Sequence, residues 1–222
     1  MAISHSATVD KYLEAIYCIA GEGEIVRPSR LAFWLGVSAP TVSDALQRLK
    51  RDGWVVLGAD RTVALTESGA GIATALVRRH RILERWLTDV LNFDWAAADV
   101  EAERVSSSIS DAVVDQIDRS MGSPPTCPHG NVIPGRVAPY GVLVALADLE
   151  PGTPGSIRRI SEVAEHEAPA LLLMLAEHSI KEGTEVMVSS TRLEPDQVAI
   201  TIAGTPLTLS MEAAKRIWVE TP

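Results

Sequence analysis

Apolar residues recur at helical spacing through the first half of the chain and at alternating spacing in much of the last third. Over residues 8–20, Val9, Leu13, Ile16, Tyr17 and Ala20 form one stripe, which predicts a first helix. Pro28 suits a first helical turn and Gly36 a stop, giving a short second helix. Ser38 then caps a third, "APTVSDALQRLKR", ended near Gly53. "WVVLGADRTVALT" alternates about a Gly-Ala-Asp turn and reads as a β-hairpin. Thr66 caps a long helix reaching about residue 91. Asp94 caps another from about Trp95 to Met121, with "VEAERVSSSISDAV" as its middle.

Residues 122–140 hold five prolines and three glycines and read as a linker. Beyond it, "GVLVALADL", "GSIRRI", "EVMVSS", "QVAITI" and "TPLTLS" are strand-like, interrupted by one helix at about 168–178. The fold class expected is mainly α with a small β domain. Residues 1–66 would form a winged helix-turn-helix, 67–122 a helical domain, 123–140 a linker and 141–222 a small barrel.

Composition changes this picture little, but the distribution of charge does. The net charge of −9 argues against a nucleic-acid partner until it is divided along the chain. Residues 1–85 hold 11 Lys and Arg against 9 Asp and Glu, and the remainder 9 against 20. The first part can therefore present a basic face. No apolar run of about 18 residues occurs, so no membrane span is expected. The N-terminus lacks the basic and apolar regions of a signal peptide. Two cysteines, Cys18 and Cys127, do not make a disulfide framework, which points to a reducing cytoplasm.

Three short helices followed by a hairpin point to DNA. The start of the third helix offers Ser38, Pro40, Thr41 and Ser43, small enough to let the backbone approach base edges and phosphates. Asp44 can accept from a cytosine amino group. Arg48 and Arg51 lie one and two turns on, Arg61 sits at the wing tip, and Arg30 adds a fourth guanidinium; all suit phosphates. A solvated polar surface would account for any one of them. The conjunction of turn, capped helix and arginine-tipped wing is more specific.

Together with "VDKYLEAIY", "LVRRHRILERWLTDVLNFD", "SISDAV", "CPHGNVIPG" and "GTPLTLSMEAAKRIWV", these stretches resemble the diphtheria-toxin-repressor-type family of iron- and manganese-dependent transcriptional regulators. The resemblance runs from about residue 8 to 219. It implies an N-terminal winged helix, a helical metal-binding and dimerisation domain, and a C-terminal SH3-like barrel. It also implies a homodimer on a palindromic double-stranded DNA operator, with metal promoting binding.

The departures fall on the metal ligands. The first-helix ligand position holds Lys11, and the later ligand helix reads Glu103, Ser106, Ser107 where the family carries Glu and His at the last two. The resemblance thus implies a reduced or lost primary site. A Lys11–Glu103 ion pair is expected in the metal's place, a solvated first-helix Lys11 being the alternative. His80 and Glu84, one turn apart, match the family's ancillary ligands; Asp99, Glu103 and Glu14 match further ligand positions. One imidazole with carboxylates suits Mn²⁺, Fe²⁺ or Zn²⁺. Equally, Glu84 can pair with a neighbouring arginine, leaving no metal at all. "CPHG" at 127–130 is expected to be a turn, although Cys127 and His129 are potential ligands.

These readings converge on a cytoplasmic transcriptional regulator acting as a repressor, still metal-responsive through a reduced site or independent of metal. An adaptor working through its SH3-like domain is the alternative. An enzyme is not expected, because no glycine-rich phosphate loop, nucleophile elbow or metalloprotease motif occurs.

Overall fold

The computed structural model describes residues 6–106, 108–189, 196–202 and 204–222. These divide into two compact units. One holds residues up to His80 together with Val105–Ile109; the other holds Arg81–Arg104 and Ser110–Pro222.

In the first unit, α1 (Ala7–Gly21) begins at Ser6, whose hydroxyl accepts from the Val9 N–H. Helix α2 (Pro28–Leu35) places Pro28 at its start and ends at left-handed Gly36. Helix α3 (Ala39–Arg51) is capped by Ser38, which accepts from the Thr41 N–H. Strands β1 (Val55–Leu57) and β2 (Val63–Leu65) pair antiparallel as the wing. Leu13, Ile16, Ile19, Leu31, Val42, Leu46 and Leu49 close one core with Val55 and Val63, so the helices and the wing share a single apolar centre. Helix α4 (Glu67–Asp89) starts where the Thr66 hydroxyl accepts from the Gly69 N–H.

The single helix expected from Trp95 to Met121 is two: α5 (Trp95–Ser106) and α6 (Asp111–Ser120). Ser110 adopts an extended conformation and serves as the N-cap residue of α6. Serine favours helix ends over helix interiors because its hydroxyl competes for nearby backbone groups. The serine-rich stretch therefore marks a break where apolar periodicity had suggested continuity.

In the second unit, β3 (Leu143–Ala145), β4 (Pro154–Ile160), β5 (Glu185–Val188), β6 (Gln197–Ile202), β7 (Thr205–Ser210) and β8 (Ile217–Glu220) form a six-stranded antiparallel sheet in the order β3-β8-β4-β5-β6-β7. Alternate residues Val186, Val188, Val198, Ile200, Ile217 and Val219 point into its core. Helices α7 (Glu162–Glu167), α8 (Pro169–Glu177) and α9 (Met211–Lys215) complete the unit. Of these, sequence reading anticipated only α8, and it did not anticipate β8.

The proline-rich segment is no solvated tether. Thr126, Cys127, His129, Asn131 and Ile133 are buried, and Thr126 bridges Val132.

Candidate metal centre and nucleic-acid interface

Helix α3 buries Val42, Ala45, Leu46 and Leu49, which leaves its other face to solvent. On that face Ser38, Pro40, Thr41, Ser43, Asp44, Arg48 and Arg51 are exposed. The Ser38 and Thr41 hydroxyls lie 2.8 Å apart at the helix N-terminus, where the helix dipole favours an anion. At the wing tip Arg61 is exposed in a left-handed conformation. Asp60 braces this turn. Its carboxylate accepts from the Thr62 N–H and hydroxyl, while its carbonyl accepts from Arg27.

Arg30 differs from its companions. It is half-buried, pairs with Glu24 at 2.8 Å, and lies over the rings of Phe33 and Trp34. Its charge is engaged within the unit rather than held out with the others.

The second constellation lies in the other unit. Arg81, Glu84 and Arg85 share one face of α4 because they stand at i, i+3 and i+4. The 127–132 loop folds onto that face. The Gly130 N–H donates to the Cys127 carbonyl and the Cys127 N–H to the Asn131 carbonyl, making a tight turn. Gly130 has φ +82°, and a Cβ there would lie 1.8 Å from the Arg158 carbonyl oxygen, so only glycine fits. The His129 carbonyl accepts from the Ile160 N–H at 2.8 Å, and Asn131 Nδ2 donates to the Ile160 carbonyl at 2.9 Å. Arg85 donates to the Cys127 carbonyl and Arg81 to the Val132 carbonyl, while Arg81 pairs with Glu162 at 2.6 Å. Tyr140 donates to the Gly130 carbonyl; burial pushes its phenol above the ordinary range.

This anchoring brings Glu84, Cys127 and His129 together. Their candidate ligand atoms lie within 4.8 Å of one another and all three residues are buried. Glu84 Oε1 is 2.5 Å from His129 Nδ1. A carboxylate at 1% exposure is costly unless it is paired, and here the imidazole is its partner. Oxygen, sulfur and nitrogen donors converging where all three residues are buried fit a divalent transition metal. Among the described residues this is the group of three possible ligands that stands together.

Of the residues expected to bind metal, only Glu84 belongs to this cluster. His80, Glu14, Lys11 and Ser106 fall in the first unit, and Asp99 and Glu103 in the second. The Ser106 carbonyl accepts from Arg79 at 2.8 Å. Ser107 lies outside the described residues. The "CPHG" segment does form the expected turn, and it also carries two possible ligands to Glu84. The available signal was a thiol and an imidazole two residues apart, held rigid by Pro128 between them.

A winged helix, a helical segment bearing a possible metal cluster, and a small β domain together define a metalloregulator. Comparison with known proteins agrees. Residues 5–63 match the family described as the iron dependent repressor N-terminal DNA binding domain, 66–135 its metal binding and dimerisation domain, and 144–221 the FeoA domain. The iron-dependent repressor IdeR of Mycobacterium tuberculosis is 33% identical, with 96% of each chain covered. The diphtheria toxin repressor of Corynebacterium diphtheriae is 38% identical over 58% of this chain and 57% of its own. A manganese-dependent transcriptional repressor solved in complex with manganese superposes with a TM-score of 0.85 at 32% identity, covering 96% of this chain and all of its own. The chain belongs to the diphtheria-toxin-repressor-type family of metal-dependent transcriptional repressors. It is a regulator and not an enzyme, and no helix among its described residues is long and apolar enough to cross a membrane.

Proposed function

We propose that this chain is a cytoplasmic, homodimeric repressor whose response to metal runs through Glu84, Cys127 and His129. The observation that carries this reading is the buried convergence of those three side chains. A bound divalent ion would supply one positive centre tying thiolate, imidazole and carboxylate together. The thiolate favours Fe²⁺ or Zn²⁺ over Mn²⁺, whose preference is for oxygen ligands. Metal ligation uses the thiolate, the neutral imidazole and the carboxylate, so binding competes with protons and metal affinity falls in acid. Because Glu84 stands on α4 while Cys127 and His129 stand on the loop anchored to β4, occupancy draws these parts of one unit together.

DNA is met by the exposed face of α3 and the wing. Ser38, Pro40, Thr41 and Ser43 allow close approach, Asp44 reads a base, and Arg48, Arg51 and Arg61 hold phosphates. The engagement of Arg30 with Glu24 supports leaving it out of this set. The dimer contact falls on exposed apolar residues of the second unit, among them Leu91, Phe93, Val100 and Val113. Lys11, Ser106 and Ser107 at ligand positions of the resembling family support weakened metal dependence there. Lys11→Ala should weaken operator binding in chelator.

Calorimetric titration with Zn²⁺ and anaerobic Fe²⁺ tests the metal reading. One ion per chain is expected, lost in Cys127→Ser and His129→Ala and retained in His80→Ala. The reverse pattern would move the centre to His80.

A further inference from the structure

Trp95 opens α5, directly after Asp94, whose carboxylate caps the helix by accepting from the Ala97 N–H at 2.9 Å. Its ring meets the His129 imidazole in a T-shaped arrangement, with centroids 4.9 Å apart and planes at 74°. Trp95 also packs against the apolar core of the β domain. It is thus braced by a capped helix start and by that core, with its indole against the imidazole.

A ligating histidine needs its ring plane fixed, because a small rotation swings the nitrogen away from the ion. That work usually falls to a carboxylate or carbonyl bonded to the second ring nitrogen. Here the carboxylate beside Nδ1, Glu84, is itself a member of the cluster, so on metal binding it acts as a ligand rather than as a bystander. The backbone of His129 is held by Ile160, which fixes where the side chain starts but not how its ring turns. The indole acts on the ring itself, since edge-to-face rings have a preferred mutual angle.

We infer that Trp95 is a positioning residue of the metal centre, holding the His129 ring in the orientation that lets it bind alongside Glu84 and Cys127. This rests on reading those three residues as the centre.

The test compares full-length wild type with Trp95→Phe and Trp95→Leu, using Co²⁺ and Zn²⁺ alone as probes. Both substitutions keep an apolar side chain against the β-domain core, and thermal melts without metal check that both fold. In Trp95→Leu, Zn²⁺ affinity should fall about tenfold, and the visible spectrum of the Co²⁺ form should change as the ligand field is distorted. Trp95→Phe keeps a ring edge and should recover affinity to within about threefold of wild type. Wild-type affinity and an unaltered cobalt spectrum in Trp95→Leu would overturn the positioning role. Equal loss in the Phe and Leu variants would overturn it too, by showing that bulk rather than ring geometry matters. A wild-type Co²⁺ complex lacking thiolate charge-transfer absorption, with affinity indifferent to Cys127→Ser, would instead remove the metal centre itself and the positioning role with it.

Discussion

In the winged-helix unit the residues offered to DNA run from Ser38 to Arg51 along one helix, with Arg61 on the adjoining wing, and all are exposed. In the second unit Glu84 comes from α4 and Cys127 and His129 from a loop about forty residues later, and all are buried. The helical part of the first surface is assembled by periodicity: the residues left over once Val42, Leu46 and Leu49 face the core become the interface. The second depends on tertiary folding, because nothing local brings residue 84 to residue 129. Solvent screens the first set, so its members act nearly independently. The second set is coupled, because removing one buried group changes the surroundings of the other two.

The largest effect on this contrast should come from Gly130→Ala. A Cβ meeting the Arg158 carbonyl oxygen, at a φ that disfavours alanine, should destabilise the second unit by about 2–4 kcal/mol and release the 127–132 loop. Thermal melts would read the loss. A variant as stable as wild type would show that the loop tolerates displacement and that its anchoring to β4 is dispensable.

Arg48→Ala and Arg51→Ala should act more modestly and separately. Each should weaken operator binding about three- to tenfold and reduce the salt slope by about one counterion, with no change in metal affinity. Asp44→Ala should shift base preference while leaving that slope nearly intact. Unchanged DNA affinity in both arginine variants would place the interface elsewhere.

The same contrast governs what could be read from sequence. Helices α1–α4 and the wing follow from stripes, caps and stop signals that sit within a few residues of one another, and Ser38 and Thr66 cap as their sequence context suggests. The break between α5 and α6 was hidden because an apolar stripe continues through it, while the only local sign of the stop is serine, a residue that favours helix ends over interiors. Strand β8 was missed because "IWVE" is short and gains its place only by pairing with both β3 and β4. Cys127 and His129 were visible as a motif, but their partner was not. Glu84 had nearer arginines to pair with, and in the fold Arg81 turns to Glu162 and Arg85 to Asp89 and the Cys127 carbonyl.

A smaller effect should appear in the wing. Hydrogen bonds from Thr62 hold the Asp60 carboxyl below the usual carboxylate range. A folded-state pKa below the unfolded one means a contribution complete above the ordinary carboxylate pKa and lost as pH falls through the lowered value. The Thr62 amide resonance should therefore titrate in acid while amides of α3 do not. A flat Thr62 titration would remove the carboxylate as the brace of the turn.

The most direct measurement of the central claim is operator affinity of the full-length protein in chelator and after adding Fe²⁺, Zn²⁺ or Mn²⁺, in wild type and in Cys127→Ser. Fe²⁺ and Zn²⁺ should tighten wild-type binding more than Mn²⁺ does, and Cys127→Ser should abolish that gain while keeping the chelator-state affinity. An equal metal response in wild type and Cys127→Ser would contradict the assignment of the regulatory centre to Glu84, Cys127 and His129.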